Sequence, residues 1–185
     1  MLQVMTSPVK ETPRRRLFAG KQVQPTNGYE TEALCNEIRH VCRFDWMLFE
    51  RIRLTGETMI PYALIGPKGL FLIFRNELDV EWMTEESCQV VASGHGRRSH
   101  VPHPIDQAKR TVQVVRKALK QQGLTLPIHS IVLFPKAQRM RTERIKFPIG
   151  DSYQDVRTFV VSKKSSPVRE RERKQVAFYL AQHQT

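Results

Sequence analysis

The residues of this chain best suited by type to do chemistry are cations. Lys136, Arg139, Arg141, Arg144 and Lys146 fall in one short stretch with only Glu143 against them. Arg97 and Arg98 sit in a run of glycine and histidine, and Lys109 and Arg110 are adjacent further on. Ammonium and guanidinium groups clustered in this way suit phosphate oxygens, which they bind without reading base identity. The composition leans the same way: Lys+Arg number 30 against 18 Asp+Glu, a net charge of +12 and a pI near 10.1. A polyanionic partner is the first expectation from that balance. No window approaches the roughly 18 apolar residues of a membrane helix, and the start lacks a signal-peptide core. The expected compartment is the cytoplasm, with no membrane partner.

Other reactive types carry less. His95, His100 and His103 raise the question of a transition-metal cluster, but their spacing suits no standard site, so solvated histidines are expected. The 3 cysteines, Cys35, Cys42 and Cys88, show no CxxC spacing, and Cys35 and Cys42, a heptad apart on an expected helix, read as buried small apolar residues. Glu77, Asp79 and Glu81 alternate with Leu78, Val80 and Trp82, which gives an acidic strand face.

The elements that must position these residues follow from periodicity. Residues 1–26 hold Pro8, Pro13, Pro25 and the run Arg14-Arg15-Arg16 without a hydrophobic period, so a flexible basic arm is expected there. Residues 27–185 are then expected to form a single domain. Glu30 to Arg43 has helical spacing, and Trp46 to Leu54 alternates as a strand. Ile60–Ile65 and Leu70–Arg75 are two apolar strands joined at Gly66-Pro67-Lys68-Gly69, a hairpin for the interior of a sheet. The third strand is expected to continue outward through the acids, with a short strand from Cys88 to Ala92 and a basic loop from Gly94 to His100. Pro104 opens an amphipathic helix that Gly123 closes, and Ile128 to Phe134 is a buried strand. Strand, helix, strand implies a parallel pairing. Arg157 to Ser162 reads as a last strand, and Ser166-Pro167 as the start of a closing helix to about Gln182.

Helix, three-strand meander, crossover helix and strand is the core order of restriction-endonuclease-like nucleases. The fold class expected is therefore α/β, a mixed central sheet flanked by helices. The chain resembles, more narrowly, the nuclease-related domain family, NERD. That family's centre reads I-D-H-x-x-I-G-P-x-G-x-F-x-I-E-x-K, followed by an N-P-x-x-Q-A helix and a V-x-x-x-V-V-F strand. The matching stretches are Thr31-Glu32, Ile60 to Pro67, Gly69 to Asn76, His103-Pro104-Ile105-Asp106-Gln107-Ala108 and Ile128 to Phe134.

The resemblance implies a metal-dependent phosphodiesterase site. Its Asp and Glu would hold a divalent cation that activates water, and its Lys would steady the transition-state charge. Carried over by position, the Asp falls on Pro61, the Glu on Phe74 and the Lys on Asn76, and none can serve. Glu32 and Gln107, matching the family's helix-borne acid and glutamine, stay polar. The reading is a catalytically inactive nuclease-like domain without metal or other cofactor, binding nucleic acid, DNA foremost, through its phosphates. Two alternatives stand beside it. One is an active nuclease using Mg²⁺ or Mn²⁺ on ligands relocated to Glu57, Glu77, Asp79 or Glu81. The other is a protein–protein interaction scaffold.

Overall fold

In the computed structural model, the described residues are 3–5, 28–39, 41–42, 45–55, 58–91, 98–100, 102–137, 139–164 and 166–185. In chain order the elements are β1 (Gln3–Met5), α1 (Gly28–Ile38), β2 (Met47–Thr55), β3 (Thr58–Gly66), β4 (Gly69–Arg75), β5 (Val80–Met83), β6 (Cys88–Val91) and β7 (Arg98–His100). There follow α2 (Pro104–Gln121), β8 (Ile128–Leu133), β9 (Arg141–Thr142), β10 (Ile149–Gly150), α3 (Tyr153–Ser162) and α4 (Glu170–Ala181). The main sheet has the order β1-β2-β3-β4-β8-β10, and a smaller one has the order β7-β6-β5-β9.

The hairpin β3–β4 lies at the centre of the main sheet, as its apolar composition requires. Alternate side chains of the two strands enter two cores. Leu64, Phe71 and Ile73 meet Leu34 and Ile38 of α1 and Val156 and Phe159 of α3. Ala63, Ile65, Leu70 and Leu72 meet Val112 and Val115 of α2 and Val176 and Leu180 of α4. Helices thus cover both faces. β4 and β8 pair in parallel from Leu70↔Ile128 to Arg75↔Leu133, the arrangement the intervening helix demands. At the far end of β3 the alternation reverses. Leu48 and Ile52 are evenly spaced on β2 yet serve different cores, and Arg51 between them has φ 53°. Pro61 falls opposite Arg51 in the register and has no N–H to pair with it.

The structure departs from the sequence reading in several places. Arg157 to Ser162 is helical, part of α3, and not a strand. Its β-branched run suggests a strand, but Val156, Phe159 and Val160 are buried at helical spacing. The start is fixed by Asp155, whose Oδ2 accepts from the N–H of Asp151 (2.9 Å), the N–H of Ser152 (3.1 Å) and the Ser152 hydroxyl (3.2 Å). Burial pushes the Asp155 carboxyl up, but these donors outweigh it and hold it below the usual carboxylate value. Stability drawn from a depressed carboxylate is present above its unfolded pKa and is lost as pH falls through the folded one. Asp155→Ala should therefore cost about 1 kcal/mol at neutral pH and progressively less in acid, read from urea unfolding at several pH values. An equal cost at pH 2 and pH 7 would show that the carboxylate does not anchor α3.

The closing helix starts at Glu170, not at Pro167, because its N-cap Arg169 is extended and the preceding Val168 donates its N–H to the Pro67 carbonyl at 2.7 Å. The first helix stops at Ile38, short of Arg43. The expected loop from Gly94 to His100 ends in a strand, β7, although 92–97 lies outside the described residues. The expected arm likewise begins in a strand: β1 pairs in parallel with Met47–Phe49, and 6–26 lies outside the described residues. The third strand does not continue through the acids. It stops at Arg75, and β5 belongs to the smaller sheet.

Candidate nucleic-acid interface

The β3–β4 register pairs Tyr62 with Ile73, so the next step sets Pro61 across from Phe74. Cross-strand neighbours set their side chains side by side on one face of a sheet. Here the adjacent groups are a pyrrolidine and a phenyl ring. Phe74 is half-buried and packs against both the α2 core and a satellite core that contains Val80, Ile105, Ala108, Val132 and Phe134. It joins the main sheet to the packing beneath the smaller one. Asn76, two residues on, is used as a turn. Its Oδ1 accepts the Leu78 N–H at 2.9 Å, and its own N–H donates to the Leu133 carbonyl at 2.8 Å. That side-chain bond turns the chain out of β4 and towards β5, so the acids that follow leave the sheet.

These groups do not fit a divalent cation. Pro61 and Phe74 offer no ligand oxygen in their side chains, and the described substitutes are engaged or exposed elsewhere. Glu77 is exposed and held by Arg75 and by Lys136, the latter at 3.2 Å. Partial burial raises its pKa, but those two cations outweigh it and keep the carboxyl below the ordinary value. Asp79 is exposed, Glu81 lies on β5, and Glu57 is outside the described residues. No three His, Cys, Asp or Glu side chains converge to hold a metal among the described residues. Glu32 and Gln107 are exposed on α1 and α2, which cover opposite faces of the sheet.

Beside Phe74, Arg75 points to the α1 side. It pairs with Glu30 at 2.5 Å, with Glu77, and with the Tyr153 hydroxyl at 3.2 Å. Beneath that network lie Glu50 and Tyr62, on neighbouring strands. Burial pushes the Glu50 carboxyl up, as it does the Tyr62 phenol. The Thr31 hydroxyl and the Tyr62 hydroxyl are buried there without a well-formed hydrogen bond, although they lie close enough to interact.

The cations are placed unevenly. Lys109, Arg110, Lys136, Arg139, Arg141, Arg144 and Lys146 are all exposed. Arg97 is outside the described residues, and Arg98 is at the start of β7. The stretch from Lys136 to Lys146 is not simply a loop, because Arg141 pairs with Trp82 as β9. It is also less purely basic than it reads. The β5–β6 turn brings Glu85 and Glu86 to one hollow with Glu143, Arg144 and Lys146, and Glu85 accepts the Lys146 N–H at 3.3 Å. Lys146 and Lys109 share a second groove with Lys163 at the end of α3, a residue that composition alone does not single out. Lys68 donates to the last carbonyls of that helix, Val160 at 3.2 Å and Val161 at 2.9 Å, an end where cations are stabilising.

The histidine expectation is corrected at one position. His103 is not solvated: Nδ1 accepts the Ile105 N–H at 3.3 Å, and Nε2 contacts the Thr84 carbonyl at 2.7 Å. It caps α2 and ties that helix to the β5–β6 turn. His95 and the side chain of His100 lie outside the described residues. The cysteines are free, with Cys42 and Cys88 buried and Cys35 half-buried, and burial pushes the Cys42 thiol up to about 12.

A mixed sheet with a three-strand antiparallel meander, a crossover helix and a parallel fourth strand defines a restriction-endonuclease-like α/β domain. The chain belongs to the nuclease-related domain family, NERD, whose sequence model matches residues 27–135. The match runs from just before α1 to the end of β8 and so includes the hairpin and the helix that packs on Phe74. No match to the chain is found among curated proteins or among solved structures. No described helix is long and apolar enough to cross a membrane.

Proposed function

We propose that this chain is a nuclease-derived binding domain that holds nucleic acid, DNA foremost, through phosphate contacts and does not cleave it. The observation that carries the reading is the occupation of the hairpin's two neighbouring positions by Pro61 and Phe74, inside a scaffold that is otherwise kept. A side chain packed into two cores is not free to be replaced by a solvated ligand. The exposed cations on α2 and on the chain from Lys136 to Lys146 supply phosphate contacts of low sequence specificity. The segment before residue 27, with Arg14, Arg15 and Arg16, adds further charge to the same task. A cytoplasmic role in DNA processing or maintenance fits these properties.

The deciding experiment is incubation of the purified full chain with supercoiled plasmid and Mg²⁺ or Mn²⁺. Retarded but intact plasmid is the expected result. Nicking that disappears in Glu57→Ala or Asp79→Ala would establish an active nuclease with relocated ligands and overturn the proposal.

A further inference from the structure

β8 is an edge strand over half its length. Its odd residues bond to β4, as the Leu70 N–H to Pro127 carbonyl bond (2.9 Å) and the Asn76 N–H to Leu133 carbonyl bond (2.8 Å) show. Its even residues therefore turn their N–H and C=O groups outward. Val132 and Phe134 are satisfied there, donating to the carbonyls of Pro148 (3.1 Å) and Gly150 (2.9 Å). One step back the ladder ends. In that register the next donor, to the Ser130 carbonyl, would be the N–H of residue 148, and proline has none. Ser130 and Ile128 are thus left with outward backbone groups that no described residue pairs.

The space against that edge is a groove of about 360 Å³. Phe147, Pro148 and Phe159 give it apolar walls, and Lys109, Lys146 and Lys163 stand around it with Glu85 as the lone acid. Lys163 is held in place over the Phe159 ring, 4.5 Å from its centroid. An unpaired edge with apolar walls is the recognition surface for an extended chain that adds a strand. Its cations choose among extended chains. A second copy of this edge would bring lysines against lysines, which is how exposed edges are kept from self-pairing. The basic segment before residue 27 is disfavoured for the same reason.

We infer that the open half of β8 is a docking site for an acidic, extended peptide segment of a partner protein, which adds as a strand beside Ile128 and Ser130 with carboxylates at Lys109, Lys146 and Lys163. The site is independent of the hairpin positions and does not require the nucleic-acid reading. It shares Lys109 and Lys146 with that reading, so a docked acidic strand would compete for those phosphate contacts.

The probe is a labelled ten-residue peptide of alternating Glu and Val, titrated by fluorescence anisotropy against the full chain. Three controls accompany it: the same peptide N-methylated at alternate amides, an alternating Lys and Val peptide, and a short oligothymidylate. Binding of the acidic peptide alone among the peptides, with slowed hydrogen exchange at the Ser130 amide, is the expected result. N-methylation and Ser130→Pro should each weaken it about tenfold or more, the scale of one to two lost backbone bonds. Ser130→Pro removes only an outward N–H and leaves the β4 ladder intact, and its fold is checked by thermal melting. Lys163→Glu, which leaves the backbone untouched, should weaken binding by a similar factor. No binding at millimolar peptide, or equal binding of the N-methylated form, would overturn the inference. The oligothymidylate should compete with the acidic peptide for Lys109 and Lys146 and bind Ser130→Pro as well as the parent, whereas acidic-peptide binding that Ser130→Pro leaves unchanged would overturn the inference.

Discussion

Gly69→Ala should cost about 3 kcal/mol or more and lower the melting temperature by roughly 10 °C, a large share of the 5–15 kcal/mol available to a domain. Two effects add at this position. Gly69 has φ 121°, a conformation that L side chains rarely adopt. A Cβ there would also stand 2.3 Å from the Pro127 carbonyl oxygen, which is backbone and already accepts the Leu70 N–H. Neither the oxygen nor the strand behind it can give way without breaking the first β4–β8 bond. Gly123→Ala separates the two effects. Gly123 has φ 69° but open space around it, so that substitution should cost only about 1 kcal/mol. Equal losses in the two variants, measured by thermal and urea unfolding, would show that the approach of β8 to the hairpin turn is not rigid. The point matters for function, since the same junction positions β8, its open edge and the strand that carries Phe74.

The second large effect concerns the charge on the surface. Replacing Arg110, Arg139 and Arg141 together by Gln should flatten the salt dependence of duplex DNA binding. Three phosphate contacts account for a slope of about −2.7 in log K against log salt, about fortyfold in affinity for a fourfold change in salt. These three are chosen because they are exposed and form no ion pair among the described residues, whereas Lys109 pairs with Asp106 at 3.9 Å and Lys136 with Glu77 at 3.2 Å. Their removal should leave the fold unchanged, which circular dichroism checks. A variant with the parent's slope would move the interface elsewhere. A parent whose affinity is insensitive to salt would remove phosphate contact as the basis of binding. Neutralising Arg144 should matter less, because Glu143, Glu85 and Glu86 share its hollow.

Phe74 is held in place by packing on two sides. A carboxylate at that position would need solvent or a cation to offset its burial. A phenyl ring is instead stabilised by the cores it enters, and it couples the main sheet to the smaller one through Val80, Ile105 and Phe134. The turn at Asn76 directs Glu77 into ion pairs with Arg75 and Lys136. Residue types at 61, 74 and 76 thus serve packing and chain direction.

Much of this was legible in the sequence, because it rests on local spacing. The hairpin is read from two apolar runs around a Gly-Pro-Lys-Gly turn, α2 from its apolar stripe, and the parallel pairing of β8 from the helix that must precede it. The family follows from motifs whose spacing is kept along the chain. The residues that failed to read true are those whose local signal is outweighed by tertiary contacts. Arg157 to Ser162 has strand-like composition, but Val156, Phe159 and Val160 bury against Phe71 and its neighbours only as a helix. Glu77, Asp79 and Glu81 alternate as a strand face should, yet one hydrogen bond from Leu78 to Asn76 takes them off the sheet. The cation run from Lys136 to Lys146 reads as a uniform basic loop, until the β5–β6 turn, distant in sequence, sets Glu85 and Glu86 beside it. Periodicity reports what one segment can bury. Which acids meet which cations, and which backbone groups are left unpaired at the edge of β8, depends on segments tens of residues apart, and only the tertiary structure decided those.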